Sequence, residues 1–133
     1  MALTADYEYE TMGDTEVISI LAGAADTLYK GAIVNIGTDG LIKVAADVAN
    51  EVPLGVMKKQ VVAAGSNVEN CEVEIGIIKL PHSGAAQTDV GAFFYATADN
   101  TLADSASNVG PAGLCVGFET GYVWIDFRIK ALS

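Results

Sequence analysis

The sequence predicts an all-β fold: a compact β-barrel or sandwich of short strands with an extended N-terminal arm. Apolar and other side chains alternate with a period of two near both ends, in Asp6-Tyr7-Glu8-Tyr9-Glu10 and from Val123 to Lys130. Between them, short β-branched runs are punctuated by Gly, Asp, Asn and Pro. No segment carries the apolar period of a long helix. The 133 residues amount to one domain, and a hydrophobic content of 51% excludes intrinsic disorder. Charged residues make up only 18%, too few to wet a whole surface, which points to a face covered by a partner.

The chain divides into an N-terminal arm and connector, residues 1–29, and a β-domain, residues 30–133. Six acids, Asp6, Glu8, Glu10, Asp14, Glu16 and Asp26, precede the first base, Lys30. Tyr7 and Tyr9 share one side of a first extended segment, Gly13-Asp14 interrupts it, and Glu16 to Leu21 reads as a second strand. Tyr7 and Tyr9 of the first segment and Val17, Ile18 and Ile20 of the second are candidate partner or subunit contacts. Two placements fit this pattern: a strand folded back on its own sheet, or an arm reaching to a neighbour. Extended, the first residues span up to about 80 Å, farther than the domain is wide.

From Lys30 the hairpin signals begin. Ala32 to Ile36 reads as a strand, Gly37-Thr38-Asp39-Gly40 as a turn and Leu41 to Val44 as the return. Val44, Val48 and Val52 share a spacing of four, so one helical turn fits there, ended by Pro53. Leu54 to Ala63 is apolar around Lys58-Lys59-Gln60, Gly65-Ser66-Asn67 reads as a loop, and Cys71 to Leu80 as a long strand. In that strand Val73, Ile75 and Ile77 share a face, and Glu72 and Glu74 are expected on the solvent side. Pro81-His82-Ser83-Gly84 closes it with turn chemistry.

The chain also resembles itself. Gly31 to Gly40 aligns with Gly91 to Asn100 at an offset of sixty. Leu54-Gly55-Val56 aligns with Val116-Gly117-Phe118, and each half ends in an alternating strand, Val73-Glu74-Ile75 and Val123-Trp124-Ile125. The expectation is two pseudo-equivalent hairpin units packed face to face around one core.

Catalytic chemistry finds little footing. His82 is the one histidine and sits in turn composition. Cys71 and Cys115 lie in apolar runs, match no metal spacing and are expected as reduced, buried thiols. Glycines fall between strands, not in a phosphate loop entering a helix. The expectation is therefore no enzyme, no metal and no cofactor. A net charge of −10 with scattered bases argues against nucleic acid and anionic membranes. No stretch approaches the roughly 18 apolar residues of a membrane span. The first residues lack the basic and apolar regions of a secretory signal, so synthesis in a cytoplasm is expected. Tyr122 and Trp124 on the polar side of the last strand, and Phe94 among aromatics on both faces of its strand, are candidate subunit or partner contacts.

The stretch from Glu74 to Leu102, EIGIIKLPHSGAAQTDVGAFFYATADNTL, resembles the small phage capsid-cement (head-decoration) proteins. The likeness lies in Leu80-Pro81 ending an apolar strand, the small-residue loop at Gly84 to Ala86, Gly91 leading a strand, the aromatic pair Phe94-Tyr95, and the turn from Ala98 to Asn100. Gly31 to Ile36, Leu54-Gly55-Val56, Val116-Gly117-Phe118 and Val123 to Phe127 extend it over about residues 30–128. Ala96-Thr97 stand where members often place a Trp and an acid, and the first thirty residues have no counterpart. The resemblance implies a homotrimeric β-barrel on the outer surface of a virion. It would bind the major capsid protein at three-fold junctions and stabilise the expanded head, with no nucleic-acid or membrane partner. Open alternatives are a subunit of another phage or extracellular assembly, or a small-ligand-binding barrel.

Overall fold

The computed structural model describes residues 3–23, 25–64 and 69–131; the loop expected at Gly65-Ser66-Asn67 lies outside them. The described residues form β1 (Thr11–Leu21), β2 (Ala25–Leu28), β3 (Ile33–Ile36), β4 (Ile42–Val44), β5 (Val52–Met57), β6 (Val61–Ala64), β7 (Asn70–Pro81), β8 (Phe93–Ala98), β9 (Thr101–Ala103), β10 (Gly113–Glu119) and β11 (Tyr122–Asp126). A single 3-10 turn spans Gln87–Asp89. The fold is all-β, as expected. One curled antiparallel sheet runs β4-β3-β5-β7-β11-β10-β8-β9 with β1 added to β7, and β2 and β6 form a separate ribbon.

β7 is the spine. β1 lies antiparallel along it, opposite residues from Asn70 to Ile78. A strand has two edges, so β5, opposite Val73 and Glu74, and β11, opposite Ile77 to Pro81, share the other edge end to end. Two groups of strands therefore splay from one edge of β7 and curl toward each other. Ile33 N–H donates to Asp99 O (2.8 Å) and Gly110 N–H to Glu51 O (3.0 Å), closing the gap between the groups. The Asp47 carboxylate adds three bonds, accepting the backbone N–H groups of Ser107, Asn108 and Val109. The helical turn expected between Val44 and Val52 is absent. That stretch is a loop held by Asp47, with Asn50 in the left-handed region at φ 65°.

The repeat is present in the hydrogen-bond register. In the first half, Ile33 and Val34 pair with Val56 and Gly55, and Val56 and Met57 pair with Glu74 and Val73. In the second, Phe93 and Phe94 pair with Leu114 and Gly113, and Leu114 and Cys115 pair with Asp126 and Ile125. Gly31 and Gly91, both at positive φ, donate to Met57 O and Cys115 O, each at 2.8 Å. The expected alignment is right for the first hairpin and shifted in the later strands. Gly55 corresponds to Gly113, not Gly117, and Val73 to Ile125, not Val123. A Cβ on Gly55 would meet the carbonyl of Glu74, and one on Gly113 that of Asp126, so the same close approach selects glycine twice.

Two cores lie on opposite faces of the sheet. The central core, between the halves, holds Ile33, Val56, Ile78, Leu80, Phe94, Cys115, Ile125 and Phe127. The lateral core holds Val34, Ile42, Met57, Cys71 and Val73 under Leu28 and Ala63 of the β2–β6 ribbon. Cys71 and Cys115 are free and buried in different cores. Since both faces of β7 are covered, its acids do not all reach water. Glu74 is 9% exposed, correcting its expected place on a solvent face, whereas Glu72 is half-buried and pairs with Lys59 at 3.2 Å.

The N-terminal segment lies on the body of the chain. Residues 6–10 are extended without joining a ladder: Tyr7 N–H donates to Lys30 O (2.8 Å) and Lys79 N–H to Glu10 O (3.0 Å). Gly13-Asp14 does not end a strand. β1 runs through it, absorbing the extra residues in a register shift between Met12 and Glu16. The closing strand is shorter than its alternation suggests. It stops at Asp126, Ile129 N–H turns back to Asp126 O, and Lys130 faces inward.

Candidate interaction surfaces

Tyr7 and Tyr9 strap the N-terminal segment across the central core. Tyr7 donates its hydroxyl to Lys79 O (3.1 Å) and Tyr9 to Glu74 Oε1 (2.6 Å), while Thr15 bonds Glu74 Oε2. Burial pushes the Glu74 carboxyl up, but Thr15, Tyr9 and the nearby Lys58 outweigh it and hold its pKa below the ordinary value. Burial and the same hydrogen bond raise Tyr9. Both rings are thus engaged within the chain.

β1 separates its three candidates by parity. Ile18 and Ile20 lie opposite Val73 and Cys71 and pack on the lateral core. Val17 and Leu21 turn the other way and are 41% and 36% exposed, and Met12, opposite Ile77 beyond the register shift, is 45% exposed; sequence reasoning missed Met12 and Leu21. Asp14 and Glu16 are exposed on the same strand. From Glu16 to Leu21 the outer edge of β1 has no strand partner among the described residues. Period-two phasing separates Val17 and Leu21 from Ile18 and Ile20, and it was the available signal.

Phe94 is corrected. It is fully buried in the central core, edge-on to the His82 ring at 5.0 Å, and no partner can reach it. His82 itself is half-buried, and its backbone N–H donates to Gly121 O. Phe93 and Tyr95, on the opposite face of β8, are half-buried and belong to neither core.

Tyr122 and Trp124 surround a lysine. Lys79 Nζ sits 4.5 Å from the Tyr122 ring centre and 5.9 Å from that of Trp124. Glu10 and Glu119 hold the same ammonium at 3.1 and 3.3 Å, and Trp124 Nε1–H donates to Glu119 Oε2 (3.0 Å). The hydrogen bond to Glu10 leads in raising the Lys79 pKa, against burial and with help from Glu119. The cross-strand pair Lys79–Trp124 accounts for aromatics on this polar face without an outside partner.

Lys130 Nζ donates to Pro53 O (2.6 Å) in the first half and to Ala112 O in the second. Burial lowers its pKa to about 8, with Asp126 pulling the other way. An open groove of about 450 Å³ lies between Pro81, His82, Asn100 and Leu102. Among the described residues, no group of three or more His, Cys, Asp or Glu is placed to hold a metal ion, and no helix is long and apolar enough to cross a membrane. No family model matches the chain, and no curated protein or solved structure is significantly similar to it.

Proposed function

We propose that this chain is a structural virion protein that binds the outer surface of a phage capsid at three-fold junctions, as a homotrimer, and stabilises the expanded head. The observation that carries the reading is β1: an 11-residue strand whose outer edge has no strand partner among the described residues over its second half, and along which Met12, Val17, Leu21 and two acids are exposed. Such an edge accepts a strand from a partner, with main-chain bonds for affinity and side-chain contacts for choice. Its acidity suits a basic strand of the major capsid protein. The residues of the family resemblance lend support from their positions. Leu80-Pro81 end β7, Gly91 makes the left-handed turn into β8, and residues 98–100 form the turn into β9. Three such edges on one rigid trimer would bind cooperatively through effective concentration, a gain of roughly 10²–10⁴.

Mixing the purified protein with undecorated, expanded phage heads and counting bound copies tests this directly. Saturation at a fixed number per three-fold junction is the expected result. No binding at saturating protein would overturn it.

A further inference from the structure

At the β4 end of the sheet an amine, a carboxylate and a carboxamide stand in line. β4 is three residues long, and its ladder is with β3. In that ladder Asn35 and Lys43 are directly opposite, so their side chains leave the same face. Glu51 reaches both. Its Oε2 lies 2.5 Å from Lys43 Nζ, and its Oε1 accepts from Asn35 Nδ2 at 3.1 Å. Three backbone features fix this placement: a register shift against β5 at Val34/Asn35, the left-handed Asn50 just before Glu51, and the Gly110 N–H that Glu51 O accepts. Asn35 is 0% exposed and Glu51 8%. Asn35 Nδ2 also donates to Ala46 O (3.0 Å), but Oδ1 meets no donor among the described residues. A buried acceptor left open costs stability, so hydrogen bonding alone does not account for an amide here.

We infer that Lys43 and Asn35 join in an isopeptide bond, with Glu51 relaying the proton. The Lys43 amine attacks Asn35 Cγ and forms the Nζ–Cγ bond. Glu51 takes a proton from Nζ and passes it to Nδ2, the Cγ–Nδ2 bond breaks, and ammonia leaves. An amine and a primary amide become a secondary amide and ammonia, with no oxidant or cofactor. Facing positions in one ladder replace a bimolecular encounter, and the carboxylate touches both nitrogens between which the proton moves. An open groove of about 190 Å³ lined by Asp39, Lys43 and Glu51 lets ammonia out. The hydrogen bond to Glu51 leads in raising the Lys43 pKa, against burial, and the Glu51 and Asp39 charges add to it. Free amine is therefore scarce at neutral pH, so the bond forms slowly and faster as pH rises. It ties the short last strand to the sheet. The inference rests on no part of the capsid or trimer reading.

Intact-mass spectrometry of the full chain tests it, with circular dichroism confirming that each variant is folded. A species lighter by one ammonia is expected. It should form up to about a hundredfold faster at pH 9 than at pH 7, because free amine rises about tenfold per pH unit. Its digest should contain a branched peptide joining the Asn35 and Lys43 segments. Glu51→Gln, which cannot take the proton, should slow the bond about a hundredfold or more. Lys43→Arg keeps a cation beside Glu51 and should abolish the bond, and it decides the matter should Glu51→Gln fail to fold. A wild-type mass unchanged after prolonged incubation at pH 9 overturns the inference and leaves a plain ion pair. Ammonia loss that persists in Lys43→Arg also overturns it, marking imide formation at another asparagine. Undiminished bonding in folded Glu51→Gln overturns the relay.

Discussion

The two halves share a hydrogen-bond register and differ in what covers them. Glu74 and Asp126 occupy matched positions next to matched glycines, and both are buried acids. In the first half the acid is satisfied by hydroxyls of Tyr9 and Thr15, which arrive with the N-terminal segment. In the second it is satisfied by Arg128, two residues along the same chain, whose Nε and Nη2 both reach its carboxylate. Register is set locally by strand pairing, whereas the choice of buried face depends on which segment arrives to roof it. The second half can close on its own residues and the first half; the first half needs the N-terminus.

The sharpest way to break this comparison is to remove the roof. Deleting residues 2–23 strips β1 and the strap from the first half and leaves the second half's strands whole. Cys71 and Val73 of the lateral core lose Ile18 and Ile20, and Glu74 loses both hydroxyl donors. The expected outcome is dye binding to exposed apolar surface, with fast amide exchange in β3, β5 and the start of β7. Protection equal in both halves would refute the dependence. Deleting only residues 2–10 spares β1 and should leave the lateral core closed.

Point substitutions sharpen it further. Phe94 and Val34 are matched, but Phe94 fills the core shared by both halves and Val34 only the lateral one. Phe94→Ala should cost about 3–5 kcal/mol by denaturant unfolding, and Val34→Ala about half that. Equal costs would mean that the two cores are energetically one.

The sequence carried the strand order of the repeat because hairpins are local: Gly31 to Gly40 and Gly91 to Asn100 hold turn and strand in one window. It misplaced the third and fourth strands because Gly117 sits in a tripeptide resembling Gly55, while the true counterpart, Gly113, is recognisable only by the carbonyl that crowds it. A register shift between Cys115 and Gly117 adds to the confusion. Glu74 looked solvent-facing because alternation assumes one wet face, and β7 has none along most of its length. Tyr122 and Trp124 looked in need of a partner because their partner, Lys79, comes from a distant strand. Of the candidate contacts, only Val17 is left presenting a large apolar side chain to water, joined by Met12 and Leu21.

Lys130 joins the halves, and its ionisation reports on that seam. Its pKa is lowered in the folded chain to about 8 from an ordinary 10.5, so the unfolded chain binds the proton more tightly. Between those values the unfolded state carries more protons, and stability rises with pH, by at most about 3 kcal/mol. Below pH 8 the buried ammonium costs its full penalty. Lys130→Met should remove this rise, read as the difference between the two proteins' unfolding curves at each pH, which cancels the tyrosines. A difference that stays flat from pH 7.5 to about 10.5 would mean the amine is not buried at the seam.

The smallest expected effect bears most directly on the matched acids. Both Glu74 and Asp126 are held below their ordinary pKa, so each contributes stability present above the unfolded value and lost as pH falls through the folded one. Both should therefore steepen acid unfolding below about pH 4. Their donors differ: Glu74 is held chiefly by neutral hydroxyls, Asp126 by a guanidinium partly in water. Salt screens the second and barely touches the first. Glu74→Gln should cost about 1 kcal/mol at neutral pH regardless of ionic strength, and Asp126→Asn about half that, shrinking as salt is raised. If the two variants respond identically to salt, the acids are stabilised alike, and the N-terminal hydroxyls do not do for the first half what Arg128 does for the second.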